Sequence, residues 1–105
     1  MKTQPGEVWL ADLGIAGKVR PVVILSREDA DPPRKLVLYV PLTTQNRHSD
    51  YEVDLGKLPF LNEPSVANVQ GLGSLPVVRL ERRLGVLAPE ALERVKQALR
   101  FVMEL

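Results

Sequence analysis

The hydrophobic period of this 105-residue chain changes once, after Leu87. In "PEALERVKQALRFVMEL" the apolar residues Leu92, Val95, Leu99 and Val102 recur at helical spacing, which predicts one amphipathic helix over residues 89–105. Pro89 suits the first helical position, where its missing N–H would have no partner anyway, and Glu90 complements the helix dipole. Ala88 is a poor cap, having no side-chain oxygen to offer. Before Leu87 the chain reads as short extended segments cut by prolines, glycines and polar turns. Strands are predicted over 7–13 ("EVWLADL", entered through Pro5-Gly6), 21–26, 36–44 ("LVLYVPLTT") and 51–55 ("YEVDL"), with further strands or short turns within 65–72 and 75–87. In "YEVDL", Tyr51, Val53 and Leu55 should face inward and Glu52 and Asp54 outward, as on a sheet with one solvated face. Many short strands followed by one terminal helix predict a mainly β fold, a small and strongly curved antiparallel sheet or barrel with the helix packed on it.

The length allows one small domain over residues 1–105 with a single core. No apolar stretch approaches the roughly 20 residues that cross a bilayer, so no membrane partner is expected. The opening "MKTQPGEV" has no hydrophobic signal segment, and the chain has no cysteine, which fits a cytoplasmic protein and excludes disulfides and thiolate metal sites. A single histidine, His48, excludes any mechanism built on a histidine pair and argues against a transition-metal site. "GLGSLP" lacks the spacing of a glycine-rich phosphate loop, so nucleotide binding is not expected, and neither is a cofactor. The net charge of +1 excludes a nonspecific polyanion coat but leaves room for a local basic groove. Lys18 and Arg20 stand close together, as do Arg79, Arg82 and Arg83.

In "GKVRPVVILS" an arginine and a proline precede the unbroken apolar run Val22–Leu25. Pro21 fits where a strand begins or at a sheet edge, because it cannot donate to a ladder. Pro41 should likewise interrupt the third strand at an edge or bend. Taken together, "PGEVWLADL", "VRPVVILS", "PLTTQ", "PSVANVQ" and the final helix resemble the MazF/PemK toxins of bacterial toxin–antitoxin systems over nearly the whole chain. The resemblance implies an SH3-like barrel with a C-terminal helix. It also implies a homodimer that cleaves single-stranded RNA at specific sequences without a metal ion and is blocked by a cognate antitoxin protein.

Carried over by position, the resemblance makes Arg20 and Thr43 the catalytic candidates, with Lys18, Gln45, Gln70 and Arg79 as candidate RNA-binding residues. Thr43 and Thr44 must point to opposite faces of an extended strand, so only one can face Arg20, and the motif's spacing selects Thr43. The residue types suit the reaction. RNA cleaves when its 2′-OH attacks the adjacent phosphorus and expels the 5′-oxygen, leaving a 2′,3′-cyclic phosphate. That attack must be held in line while charge builds on the phosphoryl oxygens. A guanidinium is a planar, permanently charged fork for two such oxygens, and a threonine hydroxyl adds a third donor. His48, in the polar turn "QNRHSD", is the one imidazole able to move a proton, although in such a turn a lone histidine is more often simply solvated.

Two departures stand out. The family often carries a Gln-apolar-Arg segment, whereas here Gln70 is followed by Gly71 and Leu72 and by no arginine. The loop before Arg20 is short and lacks an acidic, glycine-rich extension. Two other readings therefore stay open, a non-catalytic RNA- or antitoxin-binding member of the same fold and a gyrase poison like the related CcdB-type toxins. The second would act through "RFVMEL", whose Leu99 and Val102 are better explained as core-facing helix positions.

Overall fold

In the computed structural model, which describes residues 2–14 and 18–105, the Pro5-Gly6 turn is where three elements meet. Gly6 N–H donates to Ile24 O and Gly6 O accepts from Leu87 N–H, both at 2.8 Å. Its φ of +92° is open to glycine, and a Cβ there would lie 3.2 Å from the Leu92 side chain. One turn thus ties the first strand to the end of the second and to the start of the helix.

The elements are β1 (Glu7–Asp12), β2 (Val19–Ile24), β3 (Leu36–Thr43), β4 (Glu52–Gly56), β5 (Ser65–Asn68), β6 (Gly73–Pro76), β7 (Leu80–Val86) and α1 (Pro89–Met103). Single 3₁₀ turns, Val69–Gly71 and Val77–Arg79, flank β6. Every strand pairing is antiparallel, in the order β4-β5-β3-β2-β1-β7, with β6 joining β3 off this path. The mainly β architecture with a C-terminal helix is the one the sequence pattern predicts.

Alternate residues of the central strands feed two separate cores. Val8 and Val23 join Val40, Leu42, Val53, Ala67 and Val69 on one face, which α1 covers with buried Val95 and Leu99. Trp9, Ala11, Val22 and Ile24 join Val37, Leu75 and Leu80 on the other. A strand buried on both faces needs a continuous apolar run, and that is why Val22–Leu25 does not alternate. The helix stops at Met103 rather than reaching residue 105, because Glu104 turns left-handed (φ 56°) and its N–H closes the last turn on Arg100 O and Phe101 O. Ala88 offers no side-chain cap, as expected. No helix among the described residues is long and apolar enough to cross a membrane.

The second strand corrects its sequence reading. β2 starts at Val19, two residues before the expected 21, so Arg20 lies within the strand and not before it. The extra rungs are made to β1, where Val19 pairs with Asp12 and Arg20 with Ala11. Pro21 tolerates this interior place because its ring nitrogen faces the other neighbour, where no bond is drawn from it.

Residues 44–51 are organised by one side chain. The Glu52 carboxylate accepts from Arg47 N–H (3.1 Å), Ser49 N–H (3.1 Å) and Ser49 Oγ–H (2.8 Å). It therefore turns back on the loop, half-buried, where the alternation placed it outward, while Asp54 is exposed and Val53 buried as expected. The backbone N–H of Arg47, then the Ser49 hydroxyl and N–H, hold the Glu52 carboxyl below its ordinary value of 4.5.

Two outcomes follow for the fold. A Cβ at Gly85 would fall 2.5 Å from Phe60 Cε2 and 2.9 Å from Cγ, because that ring lies over the glycine. Gly85→Ala should therefore lower stability by about 1–3 kcal/mol in chemical denaturation, and an unchanged midpoint would contradict this packing. Because the Glu52 carboxyl is lowered in the folded state, its stabilisation is complete above pH 4.5 and fades as pH falls through the lower folded value. Hydrogen exchange at the Arg47 and Ser49 amides should accelerate over that acidic window, beyond intrinsic exchange, and Glu52→Gln should abolish the pH dependence.

Candidate functional site

The β2–β3 ladder has three rungs, Ile24–Tyr39, Val23–Val40 and Val22–Pro41, and then stops. Leu25 N–H donates to Leu38 O at 2.9 Å, so by antiparallel alternation Val23–Val40 is the next hydrogen-bonded pair and Val22–Pro41 is not. Pro41 therefore sacrifices no bond to β2. Its nitrogen faces the opposite edge of β3, in the gap between the stretch paired with β6 (Leu36–Tyr39) and the stretch paired with β5 (Leu42–Thr43). The following pair, Pro21 with Leu42, cannot exchange both bonds, since Pro21 has no N–H. Beyond that point β3 leaves β2 for β5, with Thr43 opposite Val66.

Arg20 and Thr43 lie just past the last rung, two residues before Val22 and two after Pro41, and so share one face of the sheet. Both line a cleft of about 900 Å³ at this open end. Tyr39, Pro41 and Thr44 also line it on β3 and just past its end, and Asn62, Glu63, Ser65 and Asn68 line it from β5, the strand paired beside β3, and the loop before it. A smaller hollow of about 220 Å³, against Thr3 and Val77, holds none of the expected site residues.

Arg20 is exposed and makes no ion pair among the described residues, whereas Arg83 is held by Glu7 at 3.3 Å. Thr43 Oγ1 accepts from Gln45 N–H at 3.1 Å, which fixes the oxygen and leaves the hydroxyl proton to donate into the cleft. The loop before β5 is anchored as well. The Lys57 ammonium donates to the carbonyls of Leu58 and Leu61, Leu61 N–H donates to Leu58 O at 3.1 Å, and Ser65 Oγ donates to Glu63 O at 3.2 Å.

The remaining expected residues divide. Lys18 and Gln45 are exposed and sit two residues from Arg20 and Thr43 along the chain, outside the cleft lining. Gln70 is also exposed and outside it, while its neighbours Asn68 and Gly71 line it. Arg79 pairs with Asp12 at 3.9 Å and is not among the residues lining the cleft. His48 is exposed in a left-handed turn (φ 57°), its N–H on Asn46 Oδ1 at 2.8 Å, and takes no part in the cleft.

Sequence reading missed the lining that comes from β5 and the loop before it. Its signal is the polar "NEPS" directly before a buried strand, which becomes informative only once the Thr43–Val66 pairing brings it beside Thr43. The glycines on either side of Leu72, the residue that stands where the family often has its arginine, are tightly enclosed. A Cβ at Gly71 would lie 2.6 Å from Pro41 Cγ, and one at Gly73 would lie 3.1 Å from the Tyr39 hydroxyl. Pro41 and Tyr39 fill the space that side chains at positions 71 and 73 would need, Leu72 packs against the core, and Asn68 Oδ1 caps the intervening turn by accepting from Gln70 N–H at 3.1 Å.

The model of the PemK-like, MazF-like toxins of type II toxin–antitoxin systems matches residues 4–103. The endoribonuclease MazF3 of Mycobacterium tuberculosis is 39% identical over 70 residues, which is 67% of this chain and 68% of that protein. The solved Mycobacterium tuberculosis toxin MazF-mt6 superposes with a TM-score of 0.82 at 31% identity, covering 97% of this chain and 98% of that one. An endoribonuclease from a mycobacterial species, solved in complex with its cognate antitoxin, gives 0.84 at 25% identity, covering 98% and 96%. With nearly every residue matched and a fold superposable end to end, this chain belongs to the PemK/MazF-like toxin family.

Proposed function

We propose that this chain is an endoribonuclease toxin that cleaves single-stranded RNA at specific sequences and is neutralised by a cognate antitoxin. The observation that carries the reading is the convergence of Arg20 and Thr43 on one face of the cleft where the β2–β3 ladder opens. The endoribonuclease names of its relatives support the same activity.

The scissile phosphate sits between the two side chains. Arg20 engages two phosphoryl oxygens with its fork, and the Thr43 hydroxyl donates to the same group. Both interactions strengthen as charge accumulates during attack by the 2′-OH, so they favour the transition state over bound RNA. The products are a 2′,3′-cyclic phosphate and a 5′-hydroxyl, and the reaction needs no metal ion or cofactor. Unpaired RNA is the natural substrate because its bases can be splayed and read on their edges. Lys18 and Gln45 extend the backbone track from the two catalytic residues. Gln70 and Arg79 lie farther along the RNA path, and Arg79 exchanges Asp12 for a phosphate.

A homodimer in the cytoplasm completes the reading, since a twofold pair would repeat the cleft and deepen the groove between its copies. The antitoxin acts by covering that groove, as suits a family whose solved members include a complex with the cognate antitoxin.

Incubating the purified protein with long mixed-sequence RNA in excess EDTA and mapping new 5′ ends tests this directly. Cuts should recur at one short sequence, and Arg20→Ala should slow them by about a hundredfold or more while thermal unfolding is unchanged. Cleavage that vanishes in EDTA, or that survives intact in Arg20→Ala, would overturn the assignment.

A further inference from the structure

We infer that Glu63 is the general base of the cleft, its carboxylate taking the proton from the attacking 2′-hydroxyl. The inference rests on the ribonuclease reading above and supplies what Arg20 and Thr43 leave undone. A permanently protonated guanidinium cannot accept a proton, and the Thr43 oxygen already accepts from Gln45 N–H. His48 lies outside the cleft. The Tyr39 side chain lines the cleft beside Gly73, but a neutral phenol is a far weaker base than a carboxylate. Glu63 is the one carboxylate among the described residues that line the cleft with Arg20 and Thr43.

Glu63 is exposed at the rim of the cleft, on an anchored backbone. The backbone is pinned by Ser65 Oγ–H on Glu63 O, and Pro64 follows, so the residue's position is fixed while its carboxylate makes no ion pair or hydrogen bond among the described residues. An unpaired negative charge beside a phosphate site weakens RNA binding. A groove that retains one has a use for it.

In the step, the O2′–H proton passes to the Glu63 carboxylate while O2′ bonds to phosphorus. The P–O5′ bond breaks with its electron pair going to O5′, which takes a proton from water. Glu63 then returns its proton to solvent, and the atoms and charge balance without a co-reactant.

The opposed effects on binding and turnover give the test. Glu63→Gln removes the repulsion and the base together. It should tighten binding of an RNA carrying 2′-deoxyribose at the cut site, yet lower kcat by about a hundredfold or more. The wild-type profile of log kcat against pH should show an acid limb of slope one that Glu63→Gln lacks, and Glu63→Asp should recover part of the rate. Matching thermal unfolding curves control for the fold. If Glu63→Gln binds tighter and cuts as fast as wild type, the residue is an electrostatic bystander and the inference fails. Unchanged kcat with a different recurring cut sequence would make it a base reader and equally overturn it. Wild-type protein that cuts no RNA would sink the ribonuclease reading itself, and this inference with it.

Discussion

A proline has no amide hydrogen, and two of them decide where the β2–β3 ladder ends. Pro41 places its bare nitrogen in the gap between the β6 and β5 partners of β3, and Pro21 removes the donor from the rung that would follow. With that rung weakened, β3 is released from β2 and its last residues pair with β5 instead. The sheet is split at this end, and the split lies at the cleft. Arg20 and Thr43 flank it because each is two residues from the last intact rung, on the same face. The ring of Pro41 also sets how closely the β5–β6 connection approaches, since it allows only a glycine at position 71.

The open end is held rigid by what lies behind it. Val22, Val23, Ile24 and Val40 are fully buried, and each such side chain contributes about 1.5–3 kcal/mol over an exposed one. Arg20 and Thr43 therefore extend from strands whose next residues cannot shift without disturbing one of the two cores. The other side of the cleft is built differently. It is a loop end and a strand start tied by carbonyl and hydroxyl contacts, among them those of Lys57 and Ser65. One side of the cleft is fixed by packing and the other by polar anchors.

Most of the fold was legible in the residues. Alternation and the β-branched run located the central strands, and the change of period located the helix; Thr43 came from the motif's spacing, and both it and Thr44 line the cleft. What was hidden depended on pairings distant in the chain. β2 starts earlier than its local pattern suggests because β1 offers rungs to Val19 and Arg20 across a connection that sequence alone could not register. The polar lining of Glu63 and Asn68 came into view only through the Thr43–Val66 register. Arg79 belonged to a visible basic cluster, yet it pairs with Asp12, a contact no linear motif announces. Lys18, Gln45 and Gln70 are neighbours of cleft-facing positions by sequence, but an extended strand or a turn sends adjacent side chains elsewhere.

The account turns on Arg20 and Thr43 gripping one phosphate together, and a double-mutant cycle measures that most directly. Single-turnover cleavage of one short RNA would be compared for wild type, Arg20→Ala, Thr43→Val and the double variant. Groups acting as a unit on one transition state lose their effect together, so the double variant should be scarcely slower than Arg20→Ala alone. Losses that simply multiply would show that the two side chains act at separate places, and the shared site at the open end of the ladder would be wrong.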